Sequence, residues 1–173
     1  HFMYGEEKDG ISELTFDGRK VLQYFHPKRD PKDHYYTFKP FHHVFDPAAG
    51  KVPLTSGAYK NPKEGQFPHH RGLFYGWNRI SYDGKTADIW HGAKNVFSQH
   101  DKVLATEAGP VFGRQVSAIS WHGKDGKPFA AEERSVTAYA VEGGTLIDWA
   151  TTLRTELPRV VLYNLNPADN YVF

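Results

Sequence analysis

The stretch from residue 111 to residue 154 reads VFGRQVSAISWHGKDGKPFAAEERSVTAYAVEGGTLIDWATTLR. It contains three long runs with the alternation of strands, 111–121, 129–141 and 145–154, and Asp-Gly and Gly-Gly pairs stand at the joints. Such pairs are typical of tight β-hairpin turns, because these residues tolerate a positive φ. The stretch therefore predicts a three-stranded antiparallel meander, and it decides the fold class.

The sequence on both sides of this meander continues the β pattern. The pair Asp17-Gly18 separates two short alternating runs and predicts a hairpin. No helical periodicity extends beyond about two turns. Further short strands are expected at 35–39, 72–80, 86–90 and 159–165. We therefore expect an all-β fold, an antiparallel β-sandwich that forms a single domain over residues 1–173.

Both ends of the sequence resemble cuts within a longer chain. The sequence begins at His1, and it ends at Tyr171-Val172-Phe173, which has the pattern of a strand that is just beginning. We therefore expect the domain to be incomplete at its C-terminus.

Composition excludes several classes of protein. Lys and Arg number 21 against 20 Asp and Glu, and this balance argues against a nucleic-acid partner. No apolar run reaches the length of about 18 residues that a membrane-spanning helix needs, so no membrane partner is expected. The absence of cysteine excludes disulfides and thiolate chemistry. Aromatic residues make up 15%, which suits both β-sheets and clefts that stack on sugars.

The densest cluster of reactive side chains is Pro68-His69-His70-Arg71. Imidazoles can transfer protons or bind metals, and the guanidinium of Arg71 can bind a carboxylate, a phosphate or vicinal hydroxyls. On a strand, His69 and His70 would point to opposite faces and could not chelate one ion together. We therefore expect no metal and no cofactor. A solvated loop-to-strand junction is the alternative.

Two further clusters carry carboxylates. On a strand, Asp88 and Trp90 would share one face, where an indole beside a carboxylate fits a sugar subsite, although a buried core Trp is the alternative. Glu132 and Arg134 would share a face of the middle strand of the meander, and Glu133 would lie on the other. Glu133 is either a general acid or base or a solvated strand charge.

Four motifs together resemble a known series. The pattern resembles the PmoA-like family, which carries the label "methane oxygenase PmoA", from about residue 19 to residue 165. Phe67 stands where that family has the first His of a His-Pro-His-His-Arg block. The motifs are Pro68-His69-His70-Arg71-Gly72-Leu73, Asp88-Ile89-Trp90, Glu132-Glu133-Arg134 and Leu146-Ile147-Asp148-Trp149.

This resemblance implies a soluble, all-β bacterial protein of carbohydrate utilisation, in the periplasm or secreted. It also implies, by fold analogy, a sandwich like the galactose-mutarotase-like supersandwich. The family label does not supply the function, because a methane monooxygenase subunit is embedded in a membrane and nothing in this sequence spans one.

The leading hypothesis is a carbohydrate-active protein that acts on a sugar or glycoside through a His/Arg/Glu cleft. Two alternatives stay open: a non-catalytic carbohydrate-binding module, and a metal-dependent enzyme or oxygenase. The sequence leaves the sugar, the reaction and the oligomeric state open. The expected catalytic residues are His69, His70 and Glu133. The expected substrate-binding residues are Arg71, Tyr75, Trp77, Asp88, Trp90 and His43.

Overall fold

The computed structural model describes residues 1–57 and 67–173. Within them, the strands form three antiparallel sheets of four strands each, so the predicted all-β, sandwich-type fold is confirmed. No helix in these ranges is both long and apolar enough to cross a membrane. The strands are β1 (Phe2–Tyr4), β2 (Ile11–Phe16), β3 (Arg19–Phe25), β4 (Phe41–Val44), β5 (Ile80–Tyr82), β6 (Lys85–Ala87), β7 (Phe97–Ala108), β8 (Phe112–His122), β9 (Pro128–Val141), β10 (Gly144–Arg154), β11 (Val160–Leu162) and β12 (Tyr171–Val172).

Helical structure is confined to short connections. The helix α1 spans His34–Thr37, and 3₁₀ turns occupy Pro31–Asp33, Ala93–Asn95 and Pro167–Asp169. The strand predicted at 35–39 is therefore wrong. The side chain of Asp30 caps the first 3₁₀ turn by accepting from the backbone N–H of Lys32, and this turn leads the chain directly into α1.

The predicted meander forms three of the four strands of the long sheet, which has the order β10-β9-β8-β7. Gly126 and Gly143 adopt positive φ angles of 74° and 72°, as the hairpin turns require. The sequence did not predict β7, because its residues from Asp101 onward are exposed and lack the alternation of a half-buried strand.

Two smaller sheets pack on the inner face of the long sheet, one beside the other. The first has the order β1-β2-β3-β4, and its apolar side chains pack with Val136 and Ala138 of β9. The second has the order β12-β11-β5-β6, and it packs on Ile119 and Trp121 of β8. The long sheet therefore carries two separate apolar cores.

A buried ion pair lies on β9 between these two cores. Arg134 donates from Nε to Glu132 Oε1 at 2.6 Å and from Nη2 to Oε2 at 3.1 Å. Trp121 Nε1 donates to the same carboxylate at 2.9 Å, and Arg134 Nη1 donates to the carbonyl of Pro40 at 3.3 Å. Both charged side chains are at most 1% exposed. The two charges can be buried here because they form an ion pair and their remaining polar atoms have hydrogen-bond partners.

Histidines and a tyrosine extend this polar region toward the surface. Tyr24 stacks on His42 at 4.2 Å between ring centroids, and its hydroxyl lies 3.1 Å from Nδ1 of His100. His26 Nε2 lies 2.9 Å from the Ser12 hydroxyl. Burial lowers the pKa of His26 and of His100 to about 4. Both imidazoles are therefore neutral near pH 7.

We expect the free energy of unfolding to fall as the pH drops from about 6.5 to about 4. In this window the unfolded chain binds protons that native His26 and His100 exclude, so stability rises with pH by up to about 1.4 kcal/mol per pH unit for each histidine. His26→Gln keeps a partner for Ser12 and should flatten the slope in urea unfolding. The exposed control His1→Gln should not. Equal slopes for wild type and His26→Gln would contradict this account.

Candidate functional site

Lys39 joins the two loops that carry the predicted site residues. Its Nζ donates to the carbonyl of His69 at 2.6 Å and to the carbonyl of Trp90 at 2.8 Å, and it lies 3.3 Å from the centroid of the Phe74 ring. The residue is 2% exposed, and this burial lowers its pKa to about 6, with the charge of Arg71 acting in the same direction. Lys39 therefore holds the His69 and Trp90 loops side by side.

Asp88 and His91 form a hydrogen-bonded pair in a turn. The carboxylate of Asp88 accepts from the backbone N–H of His91 through Oδ1 and from ring Nδ1 through Oδ2, both at 2.8 Å. The strand predicted at 86–90 forms only in its first part, since β6 ends at Ala87 and this turn follows. On a strand, Asp88 and His91 would have faced opposite sides. The turn brings them together and leaves Nε2 of His91 as the basic nitrogen.

Three imidazoles lie in a row at this point. The ring centroid of His69 is 4.4 Å from that of His70 and 4.4 Å from that of His91. The prediction that His69 and His70 diverge on a strand is wrong, because the chain turns at 68–69 and the predicted strand at 72–80 does not form. Partial burial, followed by the charges of its two histidine neighbours, lowers the pKa of His69, so it is a proton acceptor at neutral pH.

Gly72 lets the histidine loop approach β4. Leu73 exchanges two backbone hydrogen bonds with His42, at 2.9 and 2.8 Å, and Gly72 N donates to the carbonyl of Ser56 at 2.7 Å. Gly72 has a φ of +45°, and a Cβ at this position would overlap the carbonyl oxygen of His42. A glycine is therefore required for this contact.

Arg71 points into the protein. The residue is 3% exposed, its Nε donates to the carbonyl of Pro68 at 2.9 Å, and its guanidinium lies 5.6 Å from the centroid of the Phe38 ring. Nη1 is buried, and it has no hydrogen-bond partner within the part of the chain that the structure describes. Burial lowers the pKa of Arg71. The guanidinium thus retains an unused donor.

A cleft of about 300 Å³ lies beside these groups, and we call it the His70 cleft. The side chains of its lining residues include hydroxyls, an imidazole, a guanidinium and an indole. Trp90 packs against Phe74 at 4.8 Å and against His70 at 5.9 Å between ring centroids. The lining residues are Thr55, Ser56, His70, Arg71, Gly72, Phe74 and Trp90.

Six of the predicted site residues lie outside the lining of this cleft: His69 and Asp88, which are described above, and Tyr75, Trp77, His43 and Glu133. Tyr75 and Trp77 pack against the core of the second small sheet, and Trp77 Nε1 donates to the carbonyl of Tyr163 at 3.0 Å. His43 is buried behind the cleft, where its Nδ1 lies 2.8 Å from the hydroxyl of Thr55. Glu133 is exposed on the outer face of β9, opposite to the face that carries Glu132.

Sequence reasoning missed several residues of the site. It gave no role in the site to Lys39, Thr55, Ser56 or Phe74. The spacing Asp88-x-x-His91 was a usable signal, because a carboxylate three residues before a histidine can cap a turn. Within residues 1–57 and 67–173, no group of three or more His, Cys, Asp or Glu side chains is arranged to hold a metal ion.

A model for a family of unknown function, DUF6807, matches residues 12–166. The chain belongs to this family. The matched range includes every residue of the His70 cleft, so the DUF6807 region contains the candidate site. No curated protein and no solved structure matches the chain. The resemblance to PmoA-like proteins stays a prediction.

Proposed function

We propose that this DUF6807 protein is a carbohydrate-active enzyme that binds a sugar or glycoside in the His70 cleft. The observation that carries the proposal is the row of His69, His70 and His91, with His91 oriented by Asp88, at the edge of a cleft that contains an indole and hydroxyls. Sugars present apolar faces to aromatic rings and hydroxyls to polar groups, and the cleft offers both kinds of contact.

Each part of the site has a role in this proposal. Trp90 supplies a surface for a sugar face, and Thr55 and Ser56 supply hydroxyls. His91 acts as the general base, because the Asp88 carboxylate holds Nδ1–H and stabilises the imidazolium that forms. His69 and His70 provide a second proton donor or acceptor. Asp88 replaces Glu133 as the carboxylate of the proposed mechanism, since Glu133 lies on the outer face of β9.

The first test is a glycan-binding screen of the wild-type protein, followed by detection of released products with the glycans that bind. His91→Ala and Asp88→Asn should reduce turnover by about 10²–10⁴-fold while binding persists, because they remove the base or its orientation. Trp90→Ala should weaken binding itself. Asp148→Asn, at an exposed position of β10, is the matched control for Asp88→Asn and should act as wild type.

The outcomes separate the two leading functions. Binding that depends on Trp90 without any turnover would identify a carbohydrate-binding module and refute the enzyme. Absence of binding to every glycan in the screen would refute the carbohydrate proposal. Turnover that survives His91→Ala unchanged would remove His91 from the mechanism.

A further inference from the structure

We propose that the His70 cleft selects an anionic sugar, one that carries a carboxylate or a phosphate, through the guanidinium of Arg71. This inference rests on the proposed function and specifies its substrate class. It starts from an imbalance of charge around the cleft.

Arg71 is buried, and no carboxylate among residues 1–57 and 67–173 lies within ion-pair distance of it. Within the same described residues its Nη1 has no hydrogen-bond acceptor. Asp33 acts on the guanidinium only as a more distant charge. Leaving a buried cationic donor unpaired is costly, so residues of this kind are found where a ligand supplies the acceptor.

The amine and the imidazoles that lie near Arg71 supply no negative charge to balance the guanidinium. Lys39 is buried, and its amine donates to the carbonyls of His69 and Trp90. Three imidazoles stand at the edge of the cleft, and the carboxylate of Asp88 is occupied by two hydrogen bonds from His91. Within the described residues the guanidinium of Arg71 thus has no paired anion, and the carboxylate of Asp88 is already engaged. An oxyanion would complement this charge and pair with the planar guanidinium.

The neutral part of the sugar has its own contacts. Trp90, Thr55 and Ser56 line the same cleft as Arg71, so a sugar ring on the indole would place an acidic substituent toward the guanidinium. A neutral sugar would make the first set of contacts and leave the guanidinium unpaired. The cleft should therefore bind a negatively charged sugar more tightly than an uncharged sugar of the same shape.

The test compares matched probes by NMR titration, observing the ring signals of His70. D-glucuronate should bind about tenfold or more tightly than its uncharged amide, because a charge-assisted hydrogen bond is lost in the amide. The comparison of D-glucose 6-phosphate with D-glucose tests a phosphate in the same way. Whichever of glucuronate and glucose 6-phosphate binds more tightly shows whether the cleft prefers a carboxylate or a phosphate. Arg71→Gln should abolish the preference, whereas Arg159→Gln, the same change at an exposed position, should retain it.

Each outcome decides the proposal. Equal binding of glucuronate and its amide, and of the phosphate and glucose, would overturn the inference while sugar binding in the cleft stands. If inorganic phosphate binds as tightly as glucose 6-phosphate, the sugar contributes nothing to binding. The cleft would then be an anion site and not a site for an anionic sugar. If no probe shifts the ring signals of His70, both the preference for an anionic sugar and the binding of sugars in the cleft are refuted. If Arg71→Gln does not fold, the wild-type protein still tests the inference, because its preference for the charged probe should be lost at high salt. Arg71→Lys is then the second variant.

Discussion

Replacing Glu132 by glutamine is expected to cost about 3–5 kcal/mol of unfolding free energy, the largest effect of any single substitution considered for this protein. The change keeps the shape of the side chain, removes its charge and replaces one accepting oxygen by an NH2 group, which cannot accept from Arg134 or Trp121. Arg134 then remains fully buried without a counter-ion, since its other hydrogen bond goes to the neutral carbonyl of Pro40. Both apolar cores adjoin this pair, so its loss should weaken the packing of both small sheets.

The matched control is Glu133→Gln, one position along the same strand. Glu133 is exposed on the outer face of β9, so the same chemical change should alter stability by no more than about 0.5 kcal/mol. Urea unfolding of the wild type and the two variants at neutral pH gives the free energy of unfolding of each protein from its midpoint and slope. Similar losses in the two variants would show that the Glu132–Arg134 pair does not hold the sheets together.

Replacing Gly72 by alanine is expected to cost about 2–5 kcal/mol and to disturb the His70 cleft. One part of the cost, about 1–2 kcal/mol, is the strain of a side chain at positive φ. The other part, about 1–3 kcal/mol, is the overlap of the new Cβ with the carbonyl oxygen of His42. Because this contact anchors the histidine loop on β4, the ring signals of His70 should shift and sugar binding should weaken.

Gly84→Ala provides the control for this prediction. Gly84 has a φ of +67°, and a Cβ there would meet nothing within 4 Å. In this variant the free energy of unfolding should fall only by the strain of a side chain at positive φ. The NMR signals of the His70 ring should not change. Thermal or urea unfolding together with the NMR spectrum checks both effects. Equal losses in the two variants, with the cleft intact in both, would mean that the approach of Gly72 to β4 is not needed for the site.

The candidate site shows where local reasoning stops. The cluster His69-His70-Arg71 and the nearby Trp90 were recognised from their residue types, and the structure places His70, Arg71 and Trp90 around one cleft. The role of Lys39 was not predictable, because it is a contact of one amine with carbonyls 30 and 51 residues away. The pairing of Asp88 with His91 was not predicted, since a strand was expected where the chain turns.

By itself, the sequence determined the β class, the hairpins around Asp17-Gly18 and Asp125-Gly126, and the sharing of one face by Glu132 and Arg134. These features are local, because strand alternation and turn chemistry depend on residues within a few positions of each other. Only the tertiary structure decided that the face with Glu132 is buried and the face with Glu133 is exposed. It also decided which loops meet at the His70 cleft, because burial and the pairing of distant loops depend on how the two small sheets pack on the long one.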